Sequence, residues 1–311
     1  MKHLFSHSVY QELSEIGPDL NSLFAKMQCD GLELLTSHSP IDSKYLPYTV
    51  SAHLPFATDW IAAWEGRAYE MDEYYSKYYM YGRNREEIID TVRNMIEYAA
   101  VLKPAHGVIH ACNIDIPEVH RRVYTRDSSE VLRKFCEMIN EAVSYFPNGE
   151  PPYRLVFENL WWPGLRLKDN SDFKILQDKI EFENWGICLD TGHLMNTLPG
   201  IDSQTDGIDA LLKIFDGYSK DLLDSISAMH FHYSASSKYR ETFPEEIYEG
   251  GPVTEYLAGS YKHITTLDQH RAFSDPRCKE LVEYIKPELV IHELPGKRDH
   301  VKEFIQQRSL L

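Results

Sequence analysis

The chain has 311 residues, 43% of them hydrophobic and 26% charged, a composition suited to one large α/β domain or two small ones. Its 32 basic and 48 acidic residues give a formal net charge of −16, which argues against a broad basic surface and hence against extended nucleic-acid binding. No stretch approaches about 18 uninterrupted apolar residues, and the start MKHLFSHSVY lacks the apolar core of a signal peptide, so a cytoplasmic protein with no membrane partner is expected.

Short apolar runs alternate with amphipathic stretches along the whole chain. The runs are HLFSHSV (3–9), GLELL (31–35), YTVSAHL (48–54), GVIHA (107–111), RLVFEN (154–159), WGICLD (185–190), ISAMHFH (226–232) and ELVIHE (288–293). Continuous Val/Ile/Leu/Phe character of this length suits parallel strands covered on both faces. Residues 85–102 place Ile88, Val92, Met95, Ile96 and Ala99 on one helical stripe, with Asn84 as N-cap and Glu87 three residues on. Residues 128–143 repeat the logic behind Asp127, and Asp275-Pro276 opens a further helix. Eight alternations of strand and helix, with no linker or internal repeat, predict a single (β/α)8 barrel spanning 1–311. A doubly wound open sheet is the alternative, weakened by the absence of a GxGxxG turn after the first strand.

Two connections are too long for simple turns, 55–83 after the third strand and 233–274 after the seventh. Both leave C-terminal strand ends, where barrel enzymes build their sites. The first carries Trp60, Trp64, Tyr69, Tyr74, Tyr75, Tyr78, Tyr79 and Tyr81. These rings read either as a satellite core or as a stacking lid over a ring-bearing substrate.

Six of the eight strands finish on a residue of metal-ligand type: His53, His110, Glu158, Asp190, His230 and Glu293. A barrel turns all such ends toward one mouth, and carboxylates crowded there without cations would repel. Imidazoles interleaved with carboxylates are the donor set of a divalent ion, Zn²⁺, Mn²⁺ or Fe²⁺. The cysteines (Cys29, Cys112, Cys136, Cys188, Cys278) are odd in number and form no CxxC pair, which argues against a disulfide framework and a thiolate zinc site. Within CLDTGH, Asp190 reads equally as a helix N-cap, and His193 is then incidental.

The ordered set HLPF, VIH, FEN, CLDTGH, MHFH and IHELP resembles the xylose-isomerase-like TIM-barrel superfamily, also called AP endonuclease family 2. The resemblance implies two branches. In the isomerase/epimerase branch one ion sits among a Glu, an Asp, a His and a second Glu, which correspond to Glu158, Asp190, His230 and Glu293, and the two glutamates Glu158 and Glu293 move the proton. The endonuclease IV branch holds three zinc ions and adds His53, His110, His193, Asp268 and His270, the last two from the D-x-H of TLDQHRAF. Departures fall in the substrate loops. His230 is followed by FHYS rather than Asn-Asp-Ser, RAFSDP replaces a glycine-rich stretch, and the 230–268 connection is long.

The expected function is therefore a multinuclear metal hydrolase, with Zn²⁺ the expected metal in up to three copies and Mn²⁺ or Fe²⁺ as alternatives. Its substrate is expected to be a small phosphorylated or nucleotide-like metabolite. The alternative is a mononuclear sugar or sugar-phosphate isomerase/epimerase. Arg271, Trp161, Trp60, Trp64 and His232 are candidate substrate contacts. Arg67, Arg83, Arg240, Lys297 and Arg298 are further candidates to hold an anion, while Glu33 and His7 are candidates to orient ligands.

Overall fold

The structure, a computed structural model, describes residues 1–294 and 299–311. Lys297 and Arg298 lie outside the described residues. Eight parallel strands close on themselves in sequence order: β1 (Lys2–Ser8), β2 (Gly31–Leu35), β3 (Thr49–His53), β4 (His106–His110), β5 (Arg154–Glu158), β6 (Trp185–Asp190), β7 (Ile226–His230) and β8 (Leu289–His292). Pairing of β1 with β8, Lys2 opposite Leu289, completes the ring. This is a TIM barrel, and each strand lies within two residues of the run expected from the sequence. Among the described residues, no helix is long and apolar enough to cross a membrane.

Side chains along a strand alternate between the two faces of the sheet, so each β strand feeds two cores. Val108, Val156, Cys188, Ala228 and Ile291 form a buried cluster inside the barrel with Leu4 and Leu289. Ile109, Phe157, Leu189, Met229 and Val290 face outward and pack against the surrounding helices. Burying a side chain of this size stabilises the fold by about 1.5–3 kcal/mol. Two residues beyond each of the first five named interior positions stand His110, Glu158, Asp190, His230 and Glu293. The period of two that fills the barrel also aims these polar side chains into its mouth.

The helices follow their stripes. Arg85–Ala100 buries Ile88, Val92, Met95, Ile96 and Ala99, and Ser128–Ser144 buries Val131, Leu132, Phe135, Met138, Ile139 and Ala142. Asn84 accepts from the Glu87 N–H at 3.0 Å, and the Glu87 carboxylate reaches back to the Arg83 N–H and the Asn84 side-chain amide rather than to the cap residue's backbone N–H. Asp275-Pro276 opens a single 3-10 turn, Pro276–Cys278, before the helix Lys279–Ile285.

The long connections are structured. The first holds helices Trp60–Trp64 and Glu73–Met80, the second Ser237–Thr242 and Val253–Leu267. Leu257 and Val253 of the second pack with Ile114, Ile116, Leu160, Trp161 and Trp162 into a satellite core. Asp59 anchors the start of the first, accepting from Ala62, Ile116, Asn113 and Tyr69; burial, with Asp115 nearby, pushes its carboxyl up to about 6.

Candidate metal centre

Parallel register sets the first contacts: His110 is paired with Glu158 across β4–β5, and Asp190 with His230 across β6–β7. Around them, among the described residues, donor atoms assemble in five overlapping groups, the atoms of each lying within 4.8 Å of one another, and three of these groups cover the nine expected residues. In the first, Oε2 of Glu158 meets Nε2 of His53 at 3.1 Å and Nε2 of His110 at 3.2 Å. In the second, Nδ1 of His230 stands 3.1 Å from Glu158 Oε1, 3.2 Å from Glu293 Oε2 and 3.6 Å from Asp190 Oδ2. In the third, Oδ2 of Asp268 meets Nε2 of His193 at 3.2 Å and Nε2 of His270 at 2.5 Å. All nine residues expected from the sequence come together; Glu158 belongs to two of these three groups, and Glu293 joins His53 with His230, and His232 with His270, in the remaining two.

The imidazoles are oriented from behind. Nδ1 of His53 donates to the Leu54 carbonyl at 2.9 Å, Nδ1 of His193 to the Asn159 carbonyl at 2.9 Å, and Nδ1 of His270 to the Glu293 carbonyl at 3.2 Å. A carbonyl only accepts, so the proton sits on Nδ1 and each Nε2 is left facing the carboxylates. For His230 the rear partner is Glu33, whose Oε1 lies 2.8 Å from Nε2 and whose Oε2 accepts from Ser51 at 2.8 Å. Glu33 thus stands behind His230 as a charge partner, although the two atoms do not meet in hydrogen-bond geometry. His7 has no such place: it is buried on β1, with Gln11 and His300 as its neighbours.

Asp190 serves as both cap and candidate ligand. Oδ1 caps the helix Thr191–Met195 by accepting from the His193 N–H at 2.6 Å, while Oδ2 faces His230 and His232. Asn159 clamps the strand end, accepting from the Asp190 N–H and donating to its carbonyl. Sequence reading missed this brace, whose only signal was the amide following Glu158 in FEN.

Electrostatics follow from the donor list. Burial disfavours the charge on Glu158, but His230 and His110 beside it hold the carboxyl well below the usual range. Burial likewise opposes a proton on His193, yet Asp190 and Asp268 raise it well above an ordinary imidazole. His270 is pushed to about 9 against burial by Asp268 and Glu293, and Glu293 falls to about 2 against burial through His230 and His270. No described lysine or arginine lines the cavity above these groups. Four carboxylates therefore share only imidazoles as counter-charges, and divalent ions with N and O ligands fit this donor set. Cys112 and Cys188 are buried thiols held at about 12, core residues rather than thiolate ligands.

The candidate substrate contacts divide. Trp161 and Trp162 line the cavity, and the Trp161 ring lies 5.1 Å from that of His193. Trp60 does not reach it: the indole is in the main core and donates to the Cys112 carbonyl at 2.9 Å. Trp64 packs against the same core beneath the Arg85 guanidinium. Arg271 is exposed and stacks on Tyr233, because its backbone pairs with that residue and turns the side chain away. His232 is fully buried, with Nε2 2.9 Å from Asp190 and its ring stacked on His270 at 4.1 Å, so it braces the donor cluster rather than meeting substrate from the loop. Arg67 and Arg83 are paired with Glu65 and Glu87, and Arg240 donates to the carbonyls of Asn196 and Leu198.

Gly192 explains the turn in CLDTGH. A Cβ there would stand 2.2 Å from Cε1 and 2.4 Å from Nδ1 of His232. Gly192→Ala is expected to push His232 off Asp190 and to weaken metal binding by about 10–100-fold, as loss of an orienting partner does. Calorimetric zinc titration of the variant checks this, and an unchanged affinity would refute the packing argument.

The comparisons agree with the architecture. A family model described as xylose isomerase-like TIM barrel matches residues 73–275. No curated protein gives a significant sequence match. Among solved structures, a D-tagatose 3-epimerase-like protein superposes with a TM-score of 0.53 at 18% identity, covering 97% of this chain and 94% of its own. Endonuclease IV from Thermus thermophilus gives 0.51 at 13% identity, covering 100% and 98%. D-psicose 3-epimerase, solved in the presence of D-fructose, gives 0.50 at 12% identity, covering 100% and 96%. At these identities the likeness is one of fold.

Proposed function

The chain belongs to the xylose isomerase-like TIM barrel family, and from that premise we propose a divalent-metal-dependent hydrolase that cleaves a phosphoester of a small, nucleotide-like metabolite. The observation that carries the reading is the shared carboxylate. Glu158 joins His53 and His110 on one side to Asp190, His230 and Glu293 on the other, with His193, Asp268 and His270 as a third group. The five residues outside the Glu158, Asp190, His230 and Glu293 set are of ligand type and stand close enough to one another to hold further ions. Zn²⁺ suits the imidazole-rich groups, in up to three copies, with Mn²⁺ or Fe²⁺ as alternatives. Bound ions of this kind supply Lewis-acid polarisation of a phosphoryl oxygen and a water of lowered pKa. The chain's own contribution is to hold the donors in fixed tautomers, through the carbonyls of Leu54, Asn159 and Glu293, and to wall the site with aromatic loops. With no described lysine or arginine lining the cavity, the negative charge of a phosphoester would be offset by the bound ions. The net charge of −16 favours a small molecule over a nucleic acid.

A second reading has its own support. Glu158 and Glu293 flank His230 Nδ1 at 3.1 and 3.2 Å, an arrangement suited to an acid–base pair around one ion, and two of the three structural neighbours named above are epimerases or epimerase-like. That reading is a sugar or sugar-phosphate isomerase/epimerase.

Metal analysis of the chelator-free protein decides between them. Two or three ions per chain, falling when His53, His110 or His270 is replaced by alanine, is the expected result. One ion per chain, with those histidines dispensable and solvent deuterium appearing at a sugar carbon, would instead establish the isomerase.

A further inference from the structure

Above the donor cluster the cavity, about 600 Å³ in volume, changes character. Its floor is imidazole and carboxylate, and its walls are rings. Phe56 lies over His110 at 4.7 Å with planes 22° apart, and remains 43% exposed. Tyr78 and Tyr79 meet edge to face at 4.8 Å, and Trp161 and Trp162 line the cavity beside them. Within this apolar wall, four buried polar atoms have no hydrogen-bond partner: Nδ1 and Nε2 of His38 and the indole Nε1 atoms of Trp161 and Trp162. Leaving such a group unsatisfied costs about 1–3 kcal/mol, so these three donors and one acceptor are placed to bond the polar edge of a ligand. His38 follows β2, its ring 6.4 Å from that of Tyr78, and it touches none of the donor groups. Burial, assisted by Lys77, holds it at about 4, so it enters any neutral-pH complex as an uncharged donor and acceptor.

We propose that this outer chamber is a subsite for the uncharged, ring-bearing part of the substrate, of nucleoside type. A planar ring stacks against Phe56, Tyr78 and Tyr79, and its polar edge bonds to His38 and the two indole N–H groups. The chamber offers a ring a stacking face and neutral hydrogen bonds, and no described lysine or arginine lines it. The inference rests on the metal-centre reading only for which end of the substrate faces the donor cluster. The ring preference itself belongs to the walls.

The test uses the full chain, both metal-free and zinc-loaded, with three probes followed by tryptophan fluorescence and calorimetry: adenosine, ribose and ribose 5-phosphate. Adenosine is expected to bind both forms at least about tenfold more tightly than ribose, from the stacking contribution of one base. Phe56→Ala and His38→Ala are each expected to weaken adenosine about tenfold without changing zinc content. Ribose binding as well as adenosine, or adenosine binding untouched by both substitutions, overturns the subsite. So does metal-free protein that prefers ribose 5-phosphate to adenosine. The two readings fail separately. Zinc uptake without adenosine preference sinks the subsite alone, whereas adenosine preference without zinc uptake sinks the metal reading and leaves the subsite standing.

Discussion

Glu158→Gln is expected to remove at least one zinc ion per chain and to lower the proposed phosphoester hydrolysis by about 10³-fold or more, since even one oxyanion-stabilising donor costs about 10²–10³ in rate. Its carboxylate is where the geometry concentrates. Oε2 faces His53 and His110, and Oε1 faces His230 and His193, at 3.1–3.2 Å. Glutamine keeps the shape but replaces one anionic oxygen with an N–H₂ donor, which cannot ligate a cation. Because the side chain is fully buried, water cannot take the lost place. Glu293→Gln provides the comparison: Glu293 has no part in the His53, His110 and Glu158 group, so that group should keep its ion. Metal analysis of both variants, with circular dichroism to establish folding, reads the result. Equal metal loss in the two would mean that Glu158 bridges nothing.

The reason so much of this site was legible lies in the period of two. Val108 before His110, Val156 before Glu158, Cys188 before Asp190, Ala228 before His230 and Ile291 before Glu293 repeat one pattern: an apolar residue filling the barrel, then a polar one at its rim. A strand that ends in this way fixes where its last side chain points. Asp190 was ambiguous only while its two oxygens were treated as one group, since Oδ1 caps the helix and Oδ2 faces the histidines. Trp60, Trp64 and Arg271 were illegible for the converse reason. They lie on insertions with no strand period, and which face of a short helix is buried depends on partners far away in sequence, such as Cys112 for Trp60. His232 continues the inward phase of β7 beyond the strand's last residue, a signal the sequence carried but loop position obscured.

Removing the metal should make stability depend on pH in a direction the cluster dictates. His270 rises from 6.5 to about 9 in the folded protein, held there against burial by Asp268 and Glu293. The stabilisation it contributes is fully present below about 6.5 and is lost as pH climbs through 9. Glu293 falls from 4.5 to about 2, against burial, through His230 and His270. Its contribution is present above 4.5 and lost as pH drops through 2. The metal-free cluster is therefore most stabilising between about 4.5 and 6.5. Zinc reverses the upper flank, because a ligating His270 must give up the proton that its carboxylate neighbours hold, and the same applies to His193 and His230, both raised well above the ordinary imidazole value. Adding zinc to the metal-free protein at pH 7 in weak buffer should release protons, and apparent affinity should rise with pH. At free zinc about 1,000-fold above Kd, binding stabilises by about 4 kcal/mol. At roughly 2 °C per kcal/mol for a chain of this size, the melting temperature should rise by on the order of 8 °C. Melts at pH 6, 7.5 and 9 should show the zinc-induced gain growing with pH. A gain that is the same at all three, with no proton released, would mean that zinc does not displace protons from these imidazoles, and the assignment of His193, His230 and His270 as ligands would fail with it.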